Sequence, residues 1–418
     1  MVCPSAGQET RAAKIGAHMS DALPRDLPLK YRWVMLAMIW LAYASFGMVS
    51  SSLSPVVTQI SEDLHLSYSQ IGTILGAWQL TYIGVAFVGG RIIDRIGLRR
   101  ALGFGLLVIA ASALLRGAAN DFWTLFLAVA LFGVGGPMVS IGAPKLVATW
   151  FLGVERGKAA GIYATGSALG GVIVLSLSNS VLLPLLGSWR LAVASFGLLT
   201  LIVCAVWWWL AREPPAISSS RTLVNAGVGR LLRVRNVWLV LVIGFSAFLS
   251  GHGLKNWLPK ILEWHGFASV DAGFWASVPN LIGIVAALII TRAVRREHRA
   301  WVIAAMFALN AVALIVMGMA SGPALFACLV LLGFVLSSLT PLLLLVIMDT
   351  PGVGAGAMGT AGGLYFTIGE IGGFAGPSLM GYLFDLTGSF VIGLTLIAAI
   401  SIGMAAASLA LDRAIGEK

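Results

Sequence analysis

The 418-residue sequence is poor in charge and in cysteine. Only 11% of its residues are charged and three are cysteines, whereas 59% are hydrophobic and the mean hydropathy is +0.94. Soluble domains carry about 25% charged residues, so this composition predicts a polytopic membrane protein. Cys3, Cys204 and Cys328 lie far apart in the sequence, so we expect neither a metal site nor a redox pair.

The sequence also lacks the motifs of several functional classes. It has no Walker loop and no spaced set of His, Cys and Asp residues, so we expect no cofactor, no metal and no energy input from ATP. It has no clustered catalytic set near a membrane interface, which argues against an enzyme. The net charge of +10 resides in short loops between apolar runs rather than in a polar domain, so we expect no nucleic-acid partner.

What the sequence does contain is a series of long apolar runs. Taken at about 20 residues a span, they predict twelve transmembrane helices, at residues 33–57, 69–90, 101–119, 122–149, 158–185, 189–211, 237–262, 271–292, 300–320, 323–348, 360–386 and 389–411. The first run is too long for a signal-peptide core and should remain in the mature protein. The predicted domains are a tail, a six-helix half, a polar linker, a second six-helix half and a short tail, at residues 1–32, 33–211, 212–236, 237–412 and 413–418.

The distribution of Lys and Arg predicts the orientation. An amino terminus in the cytoplasm places all but four of the 27 cations on cytoplasmic ends and loops, and the exceptions are Arg116, Arg190, Lys255 and Lys260. Because cytoplasmic loops of membrane proteins are enriched in cations, we expect both termini in the cytoplasm.

The two halves repeat each other. Residues 157–171 match those 202 positions later at seven positions, including Tyr163 with Tyr365, and an offset of 201 relates Gln79 to Asn280. The second and fifth helices therefore recur as the eighth and eleventh. Parallel six-helix repeats that move against each other around a central site are a transporter architecture.

A cationic turn from Gly90 to Arg100 connects the second and third helices, with the pattern Gly-x-x-x-Asp-Arg-x-Gly-x-Arg-Arg. From the residues alone we expect Gly90 to allow close helix packing, Asp94 to cap a helix or pair with a nearby cation, and Gly97 to adopt a left-handed turn. An ordinary turn at the cytoplasmic surface is the alternative.

This turn resembles the signature loop of the major facilitator superfamily of secondary transporters, and the resemblance covers nearly the whole chain after residue 30. It implies an all-α polytopic membrane protein with twelve transmembrane helices in two pseudo-symmetric six-helix bundles. It also implies that the loop acts on the conformational change, through Gly90, Asp94, Arg95, Gly97, Arg99 and Arg100.

Glu370, near the middle of the eleventh predicted helix, is the candidate for proton coupling. Ionisable groups are costly inside a membrane, and the repeat places Ala168 at the equivalent position of the first half, so packing alone does not require a carboxylate there. A carboxyl group in such a site can bind and release a proton as its surroundings alternate between dry and wet. A hydrogen-bonding role in a glycine-rich, close-packed helix is the alternative.

Other polar and aromatic groups at mid-depth form the candidate substrate site. His252 and Lys255 in the seventh helix could form a cationic patch, although Lys255 could instead extend to the surface and His252 could cap broken backbone. We expect such a break at Asn256 to Pro259. Tyr43, Trp78, Gln79, Tyr82, Asn280 and Tyr365 complete the set, and for each of them helix packing is the alternative role.

Short segments at residues 144–157 and 256–259 are similar to a cyanate-transporter-like, anion-uptake branch of bacterial transporters in this superfamily. The fourth helix has the sequence Phe132-Gly-Val-Gly-Gly-Pro137 where many proton-coupled drug exporters of the superfamily carry a membrane arginine. The resemblance therefore implies a monomer in the bacterial inner membrane that takes up or exchanges a small organic anion, with a proton in symport or antiport. Export of an amphipathic or cationic compound is the alternative, and a receptor-like sensor on the same fold is a further one.

Overall fold

The structure, a computed structural model, describes residues 31–213, 228–350 and 353–416. These residues form twelve long helices: α1 Tyr31–Ser51, α2 Tyr68–Ile96, α3 Leu98–Gly117, α4 Phe122–Trp150, α5 Gly153–Leu177, α6 Trp189–Leu210, α7 Arg235–Trp264, α8 Ser269–Ala293, α9 Arg299–Met319, α10 Pro323–Asp349, α11 Gly354–Thr387 and α12 Val391–Gly416. Each corresponds to one predicted run. The predicted amino-terminal tail lies outside the described residues except for its last two, and so does most of the linker.

Short helical segments extend several of the long helices. They are Ser54–Val56 and Val57–Leu64 after α1, a π-helical segment Ser178–Leu182 and a turn Leu183–Leu186 after α5, Val228–Leu231 before α7, and Arg296–His298 before α9. The described residues include no β-strand. The prediction of an all-α fold is therefore confirmed.

The lengths and compositions of the helices fit a membrane. Ten candidate spans, some including their short extensions, are long and apolar enough to cross it, and α2 makes eleven when its two segments, which are bent by 63°, count as one span. The remaining long helix, α11, has 34 residues, and at about 1.5 Å per residue it exceeds the roughly 30 Å of a bilayer core.

Helix packing reproduces the internal repeat. In the first half α1 packs against α5, α2 against α4, and α3 against α6. In the second half α7 packs against α11, α8 against α10, and α9 against α12, so every pairing recurs six helices later. The halves meet where α2 packs on α11 and α5 on α8. This arrangement confirms two pseudo-symmetric six-helix bundles.

The halves are joined most tightly at one end of the bundle, here called the closed end, which contains residues 52–68, 178–188, 255–269 and 384–390. The carboxylate of Asp385 accepts hydrogen bonds from the backbone N–H groups of Tyr68 (2.9 Å) and Ser69 (2.7 Å). The hydroxyl of Thr58, in the first half, donates to the carboxylate of Glu263, in the second half, at 2.6 Å. The ammonium group of Lys260 donates to both of these groups. In the described part of the chain, the hydrogen bonds between the halves are concentrated from this end to mid-depth.

Glycines allow the halves to approach closely near the closed end. A Cβ atom at Gly273 of α8 would lie 2.3 Å from the carbonyl oxygen of Leu175 in α5. A Cβ atom at Gly72 of α2 would lie 2.3 Å from the carbonyl oxygen of Pro377 in α11. Real Cβ atoms cannot approach an oxygen so closely, so any larger side chain at either position would push the halves apart.

The predicted break in the seventh helix is wrong. α7 continues from Arg235 to Trp264 with Pro259 inside it. A proline removes the hydrogen bond to the carbonyl four residues earlier, which here is that of Lys255. The hydroxyl of Ser54 shares its one proton between this carbonyl, at 3.1 Å, and that of Asn256, at 2.7 Å. A side chain from the other half thus satisfies the carbonyl that the proline leaves free.

Candidate functional site

A polar cluster lies at mid-depth where α2, α7 and α11 meet. The side-chain amide nitrogen of Gln79 lies 3.3 Å from Nδ1 of His252 and donates to the carbonyl of Gly373 at 3.4 Å. His252 Nε2 lies 3.8 Å from Oε2 of Glu370. With the amide nitrogen of Gln79 as the donor, the matching neutral tautomer of His252 accepts at Nδ1 and has its proton on Nε2, the atom that faces Glu370.

Glu370 is the most deeply buried ionisable member of this cluster, with 5% of its surface exposed. Its Oε2 atom has no hydrogen-bond partner among the described residues. A buried carboxylate oxygen without a donor is costly unless the group gains a proton or a partner. Lys255, Tyr82 and Tyr365 are the other titratable groups that interact electrostatically with Glu370.

A cavity of about 240 Å³ opens beside this cluster, between α7, α8 and α10. Its polar lining consists of His252, Lys255, Asn280, Ser337 and Thr340. Its apolar lining consists of Leu175, Ala247, Phe248, Leu254, Leu258, Ala276, Pro279, Leu332 and Leu336, with Gly251 and Gly333 between them. Lys255 therefore lines the cavity, while its backbone carbonyl takes part in the closed end.

Aromatic side chains of the first half adjoin the cluster from the other side. Trp78 packs edge-on against His252, with ring centroids 5.6 Å apart, and against Tyr82 at 5.7 Å. Tyr82 and Tyr43 both hydrogen-bond to Ser140. The hydroxyl of Tyr82 lies 2.8 Å from the hydroxyl of Ser140, and the hydroxyl of Tyr43 donates to the backbone carbonyl of Ser140 at 3.3 Å. These rings form a wall that reaches the polar cluster through Trp78.

Tyr365 and Asn280 connect to the cavity from the second half. Tyr365 is fully buried and donates to the hydroxyl of Thr340 at 3.4 Å, so it supports the cavity wall without lining it. Asn280 lines the cavity and lies against Gly171 of α5, since a Cβ there would be 2.9 Å from its Nδ2 atom. Of the predicted substrate-site residues, His252, Lys255 and Asn280 line the cavity, whereas the others pack around it or around the polar cluster.

The signature loop lies at the opposite end from the closed end. Asp94 pairs with Lys145 of α4, and Gly97 has φ +87° between α2 and α3. Glu213 accepts hydrogen bonds from the backbone N–H groups of Leu98 (2.7 Å) and Arg99 (3.1 Å) and so caps α3.

The remaining loop positions differ in how far they are engaged. Arg99 also donates from its side chain to the carbonyl of Trp208 at 2.6 Å, while Arg95 and Arg100 are exposed. The expected close packing at Gly90 is wrong for this conformation, because a Cβ there would meet nothing within 4 Å. The neighbouring Gly89 is the one that faces α4, with a Cβ position 3.2 Å from Met138.

Sequence reasoning missed several residues of this region. Phe248 lies one helical turn before His252 and lines the cavity with it, a relation that helical spacing could have indicated. Ser337 likewise precedes Thr340 by three residues on the same face of α10. Arg116, expected near the outer surface, is 1% exposed and donates to the carbonyl of Val49 at 2.6 Å. No feature of the sequence indicated that burial.

The described residues include no group of three or more His, Cys, Asp and Glu side chains that could hold a metal ion. The chemistry that these residues can perform is ion binding: one cationic side chain in a cavity, one buried carboxyl group, and a histidine between them.

Comparisons with known proteins place the chain in a family. The sequence model described as Major Facilitator Superfamily matches residues 39–377. The chain is similar to the uncharacterized transporter YycB of Bacillus subtilis, with 22% identity over 92% of this chain and 94% of that protein. It shares 26% identity with the nitrate/nitrite transporter NrtP of Nostoc punctiforme over 54% of this chain and 46% of that protein. It shares 26% identity with a quinolone resistance transporter of Acinetobacter baumannii over 79% of this chain and 82% of that protein.

A solved structure has the same fold. A bacterial homologue of the human lysosomal transporter Spinster superposes with a TM-score of 0.70 at 18% identity, over 92% of this chain and 97% of that one. The family match, which covers most of the chain, and this fold agree with the two six-helix bundles described above. The chain belongs to the Major Facilitator Superfamily, and it is a membrane transporter rather than an enzyme.

Proposed function

We propose that this protein moves a small organic anion across the bacterial inner membrane by alternating access, in symport with a proton that binds at Glu370. The observation that carries the proposal is that Lys255 lines a membrane-embedded cavity while Glu370 is buried beside it, in contact with His252. Among the described residues that line the cavity, Lys255 is the one that is ordinarily charged. NrtP, named for nitrate and nitrite, is a relative with anionic substrates and supports an anion.

Competition for Lys255 supplies the coupling. Lys255 interacts electrostatically with both Glu370 and His252. When Glu370 is ionised it acts as the counter-ion of Lys255, and the site is neutral without substrate. When Glu370 takes up a proton, Lys255 lacks a counter-ion, which a substrate anion then provides. Proton and anion therefore favour each other's binding, and this linkage is reciprocal.

The closed end is assigned to the periplasmic side in this proposal. Among the residues that the structure describes, most of the Lys and Arg residues lie towards the other end, as expected of a cytoplasmic face. Both termini and the 212–236 linker would then be cytoplasmic, and the cavity would be reached from the cytoplasm in this conformation. We propose that the monomer is the transporting unit.

The test compares exchange with accumulation in proteoliposomes. Glu370→Gln imitates the protonated carboxyl group, so this variant should bind substrate and exchange it but should lose uptake driven by a pH gradient. Glu62→Gln, which removes an exposed carboxylate from the segment after α1, is the matched control and should retain both activities. Gradient-driven accumulation by the Glu370→Gln variant would refute proton coupling at this residue.

Export of an amphipathic cation is the second candidate function. The buried carboxyl group of Glu370 lies beside His252, which packs against Trp78 and Phe248, so a cation could bind there through charge and aromatic faces. A quinolone resistance transporter is among the relatives. The two functions differ in which charge is required. Lys255→Met should abolish anion transport, whereas cation export should survive this change and depend on Glu370.

A further inference from the structure

The shape and lining of the cavity restrict the anion further. From its volume, its single cationic anchor and its apolar walls, we infer that the substrate is a monocarboxylate with a compact, aromatic-sized body and a polar substituent opposite the carboxylate. This inference rests on the proposed function and narrows its substrate class.

The volume sets the size of the ligand. An apolar cavity of about 150 Å³ holds benzene, which has six non-hydrogen atoms. A cavity of about 240 Å³ therefore fits a ligand of about ten. Nitrate is far smaller and would leave most of the apolar wall without contacts.

The distribution of charge sets the number of carboxylates. Lys255 is the anchor, and His252 does not offer a second one, because its Nδ1 atom is occupied by Gln79 and its Nε2 atom faces Glu370. A second carboxylate would have to lie near Glu370, against leucine side chains or at the neutral hydroxyls of Ser337 and Thr340, in each case without a cation to compensate it. A buried charge without a partner is strongly unfavourable, so a dicarboxylate is disfavoured.

The order of the lining residues sets the orientation of the ligand. Lys255 lies one helical turn from Leu258, at the end of the cavity nearest the closed end, while Phe248 lies about 10 Å further along α7 at 1.5 Å per residue. Leu332 and Leu336 cover the stretch between them on α10, and Ser337 and Thr340 follow at the far end. A carboxylate on Lys255 thus places an apolar body along the leucines and a polar group near the two hydroxyls.

The apolar stretch also excludes sugar acids. A polyhydroxylated chain would place most of its hydroxyl groups against Leu332, Leu336 and Phe248, because between Lys255 and the far end the polar lining consists of Asn280 and of His252, which is engaged by Gln79. Each hydroxyl group that loses water without gaining a hydrogen bond lowers affinity. The lining can therefore pair with few of these hydroxyl groups, at Asn280 and at Ser337 and Thr340.

The test measures binding to the purified full-length protein and exchange in proteoliposomes with benzoate, 4-hydroxybenzoate, succinate, gluconate, nitrate and benzylamine. We expect 4-hydroxybenzoate to bind most tightly, benzoate next, and the other four at least about tenfold more weakly. The variant Ser337→Ala/Thr340→Val should weaken 4-hydroxybenzoate by about fivefold, the effect of one hydrogen bond, and leave benzoate unchanged. Leu336→Trp should fill the cavity and exclude both aromatic acids, with folding verified by an unchanged thermal transition.

The outcomes separate this inference from the function beneath it. Exchange of succinate, gluconate or nitrate in preference to the aromatic acids, with loss in Lys255→Met, would overturn the inference and leave anion transport intact. Binding of benzylamine that depends on Glu370 and not on Lys255 would overturn both. Equal weakening of benzoate and 4-hydroxybenzoate by the Ser337→Ala/Thr340→Val variant would overturn the orientation of the ligand.

Discussion

The hydroxyl of Ser54, in the first half, donates a hydrogen bond to the backbone carbonyl of Lys255, in the second half, at 3.1 Å. The carbonyl is available because Pro259 has no N–H to donate to it. The same residue, Lys255, lines the cavity. A single turn of α7 therefore belongs both to the closed end and to the proposed substrate site.

Ser54→Ala should open the closed end. It leaves the Lys255 carbonyl without a partner, which costs about 1–3 kcal/mol in this conformation only, so the population should shift towards the outward-open state. The measurement is labelling of a reporter cysteine, Ala276→Cys in the cavity lining, by a membrane-impermeant maleimide added outside. We expect faster labelling in Ser54→Ala.

The control for this prediction restores the missing donor. Pro259→Ala supplies a backbone N–H to the Lys255 carbonyl, so Ser54→Ala should accelerate labelling much less in that background than in the wild type. If Ser54→Ala had an equal effect in both backgrounds, the hydrogen bond from Ser54 to the Lys255 carbonyl would not be what keeps the closed end shut.

Asp385→Asn should also favour opening of the closed end. Its carboxylate accepts hydrogen bonds from the N–H groups of Tyr68 and Ser69 at the amino-terminal end of α2, where the helix dipole stabilises a negative charge. Asp385 belongs to the second half and α2 to the first, so this contact joins the halves. Losing the charge should weaken this contact by about 1 kcal/mol, seen as faster reporter labelling. The control is Asp121→Asn, which removes the charge of a carboxylate that caps α4 at Thr124. This cap lies at the same end but within one half, so its loss should lower stability without changing the labelling rate. Equal labelling in both variants would contradict the assignment.

Asp94→Asn should slow turnover more than it weakens binding. Asp94 pairs with Lys145 at the opposite end from the closed end and lies far from the cavity lining, so its loss should act on the conformational equilibrium. The readouts are the maximal exchange rate and the substrate dissociation constant, measured separately. Glu155→Gln breaks a pair with Arg32 at the same end, 2.7 Å in length, and serves as the matched control. A loss of affinity as large as the loss of rate would argue against this role.

The orientation can be tested at two exposed positions. His65 lies at the closed end and Val154 lies at the other, and Val154 is 80% exposed. In intact cells, a cysteine in place of His65 should react with an impermeant reagent, and one in place of Val154 should react only after the membrane is permeabilised. The reverse pattern would place the termini outside and invert the proposed direction of access.

The sequence by itself determined the parts of this protein that depend on local composition. Twelve apolar runs predicted twelve helices because a bilayer demands a minimum apolar length, and the repeat of Tyr163 at Tyr365 predicted two equivalent halves. Glu370, His252 and Lys255 stood out because an ionisable residue within an apolar run is rare and costly. These signals can be read without knowing which helices touch.

Tertiary structure alone decided how these residues meet. The distance of 3.8 Å between His252 and Glu370 depends on how α7 and α11 are rotated about their axes, and hydropathy does not specify this rotation. Three further features depend on which helices pack together and on which end is closed. They are the burial of Arg116, the open space beside Gly90, and the hydrogen bond from Ser54 to the carbonyl that Pro259 leaves without a donor. A transporter has at least two such packings for one sequence, so the sequence predicts the residues of the site, whereas the conformation decides their contacts.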